Sequence, residues 1–268
     1  MRGPPEACPT SKPGGDSDWL VEVDAPAGLP ALVLIPHAGT GALAYRRLAL
    51  SLRTVARPAV VRLPGRETRL SEPGFVEIRP LVRSLVRAVL PRLGPRFVLY
   101  GHSMGALVAF ETARLLHLAY GIDAEHLVVS GMGAPRDRTR RLARHRLPDD
   151  ALWETVCDIG GIPPEVAAAP AMRQLLLPTL RADFQVTDEY TYRPAPSLPC
   201  PVSAYAGRTD HEVLPDEMLG WGKETRGKFR HTVLPGDHFF NLDETSGFPS
   251  ALCRLMTEVA SLEQPAAA

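Results

Sequence analysis

The chain has 268 residues, with 30 acidic and 30 basic side chains and therefore no formal net charge. This length suits one large domain with a substantial core. Because the charges balance, the net charge of the protein gives no reason to expect a nucleic acid or another polyanion as a partner. No apolar run reaches the roughly 18 residues that a membrane span needs, and the N-terminal segment lacks the apolar core of a signal peptide. We therefore expect a cytoplasmic monomer without a membrane partner.

The four cysteines are far apart in the sequence, at Cys8, Cys157, Cys200 and Cys253. They form no CxxC pair and no cysteine–histidine pattern, which argues against a zinc site and against a disulfide framework. We expect free thiols in a reducing compartment. No metal and no cofactor is predicted.

Composition divides the chain into a body and two ends. Residues 1–17 are rich in Pro, Gly and Ser and are predicted to be a flexible leader, and residues 263–268 are predicted to be a flexible tail. Residues 18–262 read as a single domain. Short apolar, β-branched runs predict strands, at 19–23, 31–36, 58–63, 96–100, 126–130, 201–206 and 229–234.

Helical periodicity lies between these runs, at 42–53, 76–91, 105–117 and 247–262. Strands that are apolar on both faces and alternate with helices predict an α/β fold with a mostly parallel sheet. Residues 135–199 break the alternation, because they show helical pattern without a convincing strand. We call residues 135–199 the lid segment, since a helical insertion at the strand ends is predicted to cover a site.

The candidate nucleophile is Ser103, in the pentapeptide Gly-His-Ser-Met-Gly. A GxSxG match alone is weak evidence, but this one follows a predicted strand and opens a predicted helix, as a nucleophile elbow requires. Gly101 and Gly105 are expected to remove collisions between the tight turn and the neighbouring backbone. A structural serine in a turn would need neither the strand nor the paired glycines.

A serine nucleophile needs a histidine base and an orienting carboxylate, and in this architecture both follow later strands. His238 follows the last predicted strand and is the preferred base among eight histidines. Asp210 follows the strand before it and is the preferred acid. Asp237 is an alternative acid, although neighbours in sequence rarely orient each other. Weaker alternatives are Asp183, Asp188 and Asp243.

Two backbone N–H groups are predicted to form an oxyanion hole. One belongs to Met104, which directly follows the serine, and the other to Ala38, in the loop after the second predicted strand. His37 in that loop is interpreted as a structural residue that holds the loop in place.

These residues also resemble a known family. The segments IPHAGTGALAY, RLPGRETRLSEP, LYGHSMGALVAFETAR, LRADFQVTDEYTY, YAGRTDHEV and PGDHFF are similar, in order, to blocks of stand-alone type II thioesterases of polyketide synthase and nonribosomal peptide synthetase systems. The resemblance spans residues 30–245. It implies an α/β-hydrolase fold, the triad Ser103, Asp210 and His238, and oxyanion donors at Met104 and Ala38.

The resemblance further implies an editing activity that hydrolyses acyl groups from the phosphopantetheine arm of an acyl carrier or peptidyl carrier protein. Two alternatives remain: a small-molecule serine esterase or lipase with the same triad, and an inactive hydrolase fold that serves as a binding module.

Within the lid segment, Met172, Phe184 and Trp153 are candidates to line the acyl path, and ordinary lid packing is the alternative. Six arginines lie between Arg136 and Arg146. Of these, Arg138, Arg140 and Arg141 are candidates to dock an acidic carrier protein. A solvated surface is the alternative interpretation.

Overall fold

A seven-stranded sheet forms the centre of the structure, a computed structural model that describes residues 19–137 and 142–261. Its strands are β1 (Leu20–Glu22), β2 (Ala31–Ile35), β3 (Arg57–Val61), β4 (Phe97–His102), β5 (His126–Ser130), β6 (Val202–Gly207) and β7 (Phe229–Leu234). The spatial order is β1-β3-β2-β4-β5-β6-β7. Only the β1–β3 pair is antiparallel within the described residues, with Leu20 opposite Val61. The seven predicted strands and the mostly parallel sheet are confirmed.

The α-helices are α1 (Arg46–Leu52), α2 (Ile78–Leu93), α3 (Met104–Leu115), α4 (Asp149–Ile159), α5 (Pro164–Ala167), α6 (Pro170–Asp188) and α7 (Phe248–Ser261). A π-helical turn, Leu116–Tyr120, continues α3. The 3₁₀ segments are Ala42–Tyr45, Glu67–Arg69, Pro135–Asp137, Arg144–Arg146 and Pro215–Glu224. The four helices predicted outside the lid segment are therefore present, with ends shifted by a few residues.

Alternation along the buried strands supplies two cores, one on each face of the sheet. On β2, Leu32 and Leu34 face the core formed with α1 and α7, whereas Val33 and Ile35 face the core formed with α2 and α3. All five residues of β2 are buried. Each buried aliphatic side chain of this size contributes about 1.5–3 kcal/mol relative to exposure. Helices are therefore required on both faces of the sheet.

The lid segment contributes α4, α5 and α6 between β5 and β6. These helices share a small apolar core of their own, in which Trp153 packs with Leu152, Leu177 and Leu180. They lie after the carboxyl end of β5, the edge of a parallel sheet at which ligands bind.

The turn from β4 to α3 depends on close backbone approach at two glycines. A Cβ atom on Gly101 would overlap the carbonyl oxygen of Gly105, and one on Gly105 would overlap the carbonyl oxygen of Ile35 in β2. The prediction that both glycines prevent collisions between the tight turn and the neighbouring backbone is therefore confirmed. Strand β2, strand β4 and helix α3 meet too closely for a side chain at either position.

Replacement of Gly105 by Ala should destabilise the fold by about 3 kcal/mol, since the overlapping atom is backbone and the strand has to shift. For a domain of this size that corresponds to a decrease of roughly 6–12 °C in melting temperature. Gly133→Ala is the matched control, because its added Cβ would meet only Glu217, at 3.4 Å or more. Thermal denaturation followed by circular dichroism checks both. Equal melting temperatures for Gly105→Ala and wild type would contradict the packing explanation.

Candidate active site

Ser103 lies between β4 and α3 in a backbone conformation that side chains rarely adopt. Its φ is 52° and its ψ is −121°. Such a conformation costs about 1–3 kcal/mol and persists only where surrounding structure enforces it. Here the Ser103 N–H donates to the carbonyl of Ser130 at 2.8 Å, and the Ser103 carbonyl accepts from Ala106 N–H at 2.9 Å. The side chain is thereby held at the N-terminus of α3, where the helix dipole favours negative charge.

The predicted acid and base are in direct contact. His238 Nδ1 lies 2.9 Å from Asp210 Oδ2, and both side chains are buried. Because the carboxylate can only accept, His238 donates from Nδ1, which leaves Nε2 as the proton acceptor. Asp210 Oδ1 accepts the backbone N–H groups of Glu212 and Val213 at 2.8 and 3.1 Å. The acid is therefore oriented by its own loop before it orients the histidine.

Each weaker acid candidate is engaged elsewhere. Asp237 accepts the backbone N–H of Phe239, and Asp188 accepts from His145. Asp243 accepts from Thr245, while Asp183 is bound to Arg66 and to the loop after β2. Among the described residues, Asp210 alone of these carboxylates hydrogen-bonds to His238.

Two further histidines pack behind the candidate base. The His102 ring centroid lies 5.0 Å from that of His238 and 5.7 Å from that of His37. Burial lowers the pKa of His102 well below its usual range, and the nearby His238 lowers it further. Burial, with His238 and Arg66 nearby, lowers the pKa of His37 to about 3. Both rings are therefore neutral at physiological pH.

The loop after β2 is held by His37. Its Nδ1 lies 2.9 Å from the Tyr45 hydroxyl and its Nε2 lies 2.6 Å from the Thr40 hydroxyl. With both ring nitrogens in hydrogen bonds, His37 ties the loop to the following turn. This arrangement fits the structural role expected for it.

Ala38 and Met104, which carry the two predicted oxyanion donors, both line the same cavity as Ser103. Met104 is the first residue of α3, so its N–H has no acceptor within the helix. The neighbours of Ala38 are occupied: Gly39 N–H donates to Asp183, and Thr40 N–H donates to the His37 carbonyl. The hydrogen bonds found among the described residues include none from the Ala38 N–H.

The cavity has a volume of about 360 Å³ and is lined by Ser103 and His238 on its sheet side. The lid segment forms much of the opposite wall, with apolar side chains from α4 and α6 that include Val156, Leu180 and Phe184. Arg144 also lines it, paired with Glu212 and lying over the Phe184 ring at 5.6 Å. The cavity therefore has both apolar and polar walls, with acidic side chains that include Glu212, Asp216 and Glu217.

The lid predictions divide into three outcomes. Phe184 lines the cavity, and its contact with an acyl group stays a prediction. Trp153 packs inside the lid core, and neither it nor Met172 is among the described residues that line the cavity. Helical periodicity marks Trp153 as buried but does not say whether it faces a cavity or the neighbouring helix. The proposed docking residues Arg138, Arg140 and Arg141 lie outside the described residues.

Sequence reasoning missed three contributors to this site. Phe239 lines the cavity beside the base, and Glu212 pairs with Arg144 at its edge. The contact between Asp183 and Gly39 was also missed, because 144 residues separate the two in sequence. The adjacency of Phe239 to His238 could have indicated the first; the other two have no local signal.

Comparison with known proteins decides the family. A family model described as "Thioesterase domain" matches residues 30–257. The chain belongs to the thioesterase family. It is a thioester hydrolase of the type II group with an α/β-hydrolase fold.

Two solved type II thioesterases share this architecture. BorB, from the borrelidin biosynthetic cluster, is 31% identical with a TM-score of 0.82, and the match covers 90% of this chain and 97% of that one. YbtT, from the yersiniabactin NRPS/PKS pathway, is 30% identical with a TM-score of 0.81, over 91% of this chain and 100% of that one. The similarity therefore extends over nearly the whole described domain of this thioesterase.

A curated relative carries a different functional name. "Linear gramicidin dehydrogenase LgrE" of Brevibacillus parabrevis is 36% identical over 228 residues, which are 84% of this chain and 87% of that protein. The name states an activity for that protein, whereas the family model and both structures agree on a thioesterase for this one. Within residues 19–137 and 142–261, no helix of this thioesterase has the length and apolar character required to cross a membrane.

The depressed pKa of His37 predicts a loss of stability in acid. The unfolded chain binds a proton near pH 6.5, but the folded state binds it only near pH 3, so the free energy of unfolding falls as pH decreases below about 6.5. At pH 5 this histidine should account for about 2 kcal/mol of lost stability relative to pH 7.5. Urea denaturation at both pH values measures the decrease in the free energy of unfolding. In His37→Gln this decrease should be about 2 kcal/mol smaller than in wild type. Equal losses in the two proteins would rule out a neutral buried His37.

Proposed function

We propose that this thioesterase edits a polyketide or nonribosomal peptide assembly line by hydrolysing stalled or aberrant acyl groups from the phosphopantetheine arm of carrier proteins. The observation that carries the proposal is that His238, which donates a hydrogen bond to Asp210, lines the same cavity as the strained Ser103. The type II thioesterase structures from comparable pathways support the carrier-bound substrate.

The proposed reaction begins when Ser103 Oγ attacks the thioester carbonyl and His238 Nε2 accepts the hydroxyl proton. The carbonyl oxygen becomes an oxyanion, which the N–H groups of Met104 and Ala38 stabilise. One such donor is typically worth about 10²- to 10³-fold in rate. The carbon–sulfur bond then breaks, and the departing pantetheine sulfur takes the proton from His238.

Hydrolysis of the acyl-enzyme repeats these steps with water. His238 accepts a proton from water as its oxygen attacks the ester carbonyl, and returns that proton to Ser103 Oγ when the carboxylic acid leaves. A thiolate is a good leaving group, so the chemistry relies mainly on stabilisation of the oxyanion. The apolar wall that includes Val156, Leu180 and Phe184 would hold the acyl chain.

The compartment and partners form part of the same proposal. Cys157, Cys200 and Cys253 are free thiols, which fits a reducing cytoplasm, whereas Cys8 lies outside the described residues. The carrier would be an acyl carrier or peptidyl carrier protein, met by a monomeric enzyme.

Ser103→Ala should abolish release of acetyl and propionyl groups from loaded carrier proteins while the melting temperature stays near that of wild type, because only the nucleophile is removed. Mass spectrometry of the carrier measures the release. Ser71→Ala, at an exposed serine, is the matched control and should keep full activity. Near-normal turnover by Ser103→Ala would exclude it as the nucleophile. A wild-type enzyme that prefers p-nitrophenyl esters to carrier thioesters would instead indicate the esterase alternative.

Asp210→Asn should lower kcat by about 10³- to 10⁴-fold, since the amide cannot hold His238 in the tautomer that leaves Nε2 free. The assay is steady-state hydrolysis of a small acyl thioester. Asp237→Asn is the matched control: that carboxylate is adjacent to the base but accepts only the N–H of Phe239 among the described residues. A larger loss in Asp237→Asn than in Asp210→Asn would reverse the assignment of the acid.

A further inference from the structure

A buried ion pair joins the lid to the body of the domain beside the proposed oxyanion hole. Arg66 Nη2, in the loop after β3, lies 2.9 Å from Asp183 Oδ1 of lid helix α6. The two side chains are 7% and 2% exposed. Arg66 Nε also donates to the Pro64 carbonyl at 3.2 Å, so its guanidinium is held on its own loop.

Both members of the pair also bind the loop after β2. Asp183 Oδ2 accepts the backbone N–H of Gly39 at 2.7 Å, and Arg66 Nη1 donates to the backbone carbonyl of Thr40 at 3.0 Å. We call Arg66 and Asp183, with these two backbone contacts, the clamp. The clamp brings together three segments that are distant in sequence: the loop after β2, which carries Ala38 and which we call the oxyanion loop, the loop after β3, and the lid segment.

Packing reinforces the same contact between lid and loop. Gly39 has a φ of +74°, and a Cβ added to it would overlap the Leu180 side chain of α6. In the same helix, the Thr179 hydroxyl donates to the carbonyl of Gly65, the residue before Arg66, at 2.6 Å. Helix α6 therefore lies directly on the backbone of both loops.

The clamp restrains the peptide groups that flank Ala38. The peptide after Ala38 is fixed by Gly39 N–H, which donates to Asp183. The peptide before it is fixed by the His37 carbonyl, which accepts Thr40 N–H at 3.3 Å, and the Thr40 carbonyl is in turn held by Arg66. The peptide that carries the Ala38 N–H is therefore held through Thr40 and Arg66, while the next peptide is held by the lid residue Asp183.

Stability alone is a poor explanation for this pair. Burying two charges carries a desolvation penalty that their attraction often only offsets, and apolar replacements of similar volume are frequently as stable. What the charges add here is geometry, because a carboxylate can accept from Arg66 and from Gly39 at the same time. A buried apolar pair would fill the space but would leave the Gly39 N–H without an acceptor.

We infer that Arg66 and Asp183 are positioning residues that couple the lid to the oxyanion hole, so that the Ala38 donor is correctly aimed only while α6 is seated on the loop. The inference rests on the proposed function, in which Ala38 stabilises the oxyanion. It follows that lid opening, which separates Asp183 from Gly39, lowers the reactivity of Ser103. Hydrolysis is thereby favoured when the lid has closed over an acyl group that fits beneath it.

The test uses the full-length double variant Arg66→Met/Asp183→Leu, which removes both charges and leaves neither buried alone. We expect kcat for propionyl-N-acetylcysteamine to fall about 10- to 100-fold, while KM stays within threefold of wild type. This decrease in kcat is no larger than the decrease caused by removing one oxyanion donor completely. The inhibition constant of an alkylboronic acid, whose adduct with Ser103 places an oxygen in the hole, should rise by a similar factor.

Arg181→Met is the matched control on the same helix. Arg181 binds the carbonyls of His145 and Leu147 and the Asp149 carboxylate, all within the lid. It should leave kcat and the boronic acid constant within threefold of wild type, because its contacts do not reach the oxyanion loop. The same 10- to 100-fold losses in Arg181→Met would show a general effect of lid packing and would overturn the inference.

A folded double variant with kcat and boronic acid affinity within threefold of wild type would equally overturn it. If the double variant does not unfold cooperatively, Asp183→Asn decides by the same two measurements, since its amide presents a donor to either Arg66 or Gly39. A wild-type enzyme that hydrolyses no thioester would refute the proposed function instead. In that case the ratio of boronic acid affinities between wild type and variants still decides the role of the clamp.

Discussion

The positive φ of Ser103 is the constraint on which the site depends. A serine in this conformation is unfavourable by itself, and the molecule maintains it through the contacts of β4 and α3 with their neighbours. Gly101 and Gly105 make those contacts possible, because each approaches a backbone carbonyl too closely for a side chain. The apolar sheet is thus also the support that holds one hydroxyl at its edge.

The other site groups reach the same edge because parallel strands end together. Ala38 follows β2, Asp210 follows β6 and His238 follows β7, each after a short loop. The Gly207 position shows how tightly the last two loops fit, since a Cβ there would overlap the carbonyl of Asp237. Loops of this kind place side chains reliably, because they are short and follow strands of one sheet, of which β2 and β6 are fully buried.

The lid is connected to this edge by polar contacts as well as apolar ones. A lid held only by apolar packing could slide over the sheet at modest cost. The clamp formed by Arg66 and Asp183 instead fixes helix α6 in one specific geometry against the loop that carries Ala38. Neutral His37 contributes to the same loop from inside, through its hydrogen bonds to Tyr45 and Thr40. Lid position and oxyanion loop therefore form one structural unit.

The sequence by itself determined the strand and helix order, the elbow at Ser103 and the pairing of Asp210 with His238. These features are local: period-two and period-3.6 patterns, paired glycines, and residues just beyond strand ends. Only the tertiary structure decided that Phe184 faces the cavity while Trp153 faces its own lid helices, and that Asp183 meets Gly39 and Arg66. The contacts of Asp183 join segments separated by more than 100 residues, and helical periodicity marks Phe184 and Trp153 as apolar positions without saying which surface each one meets.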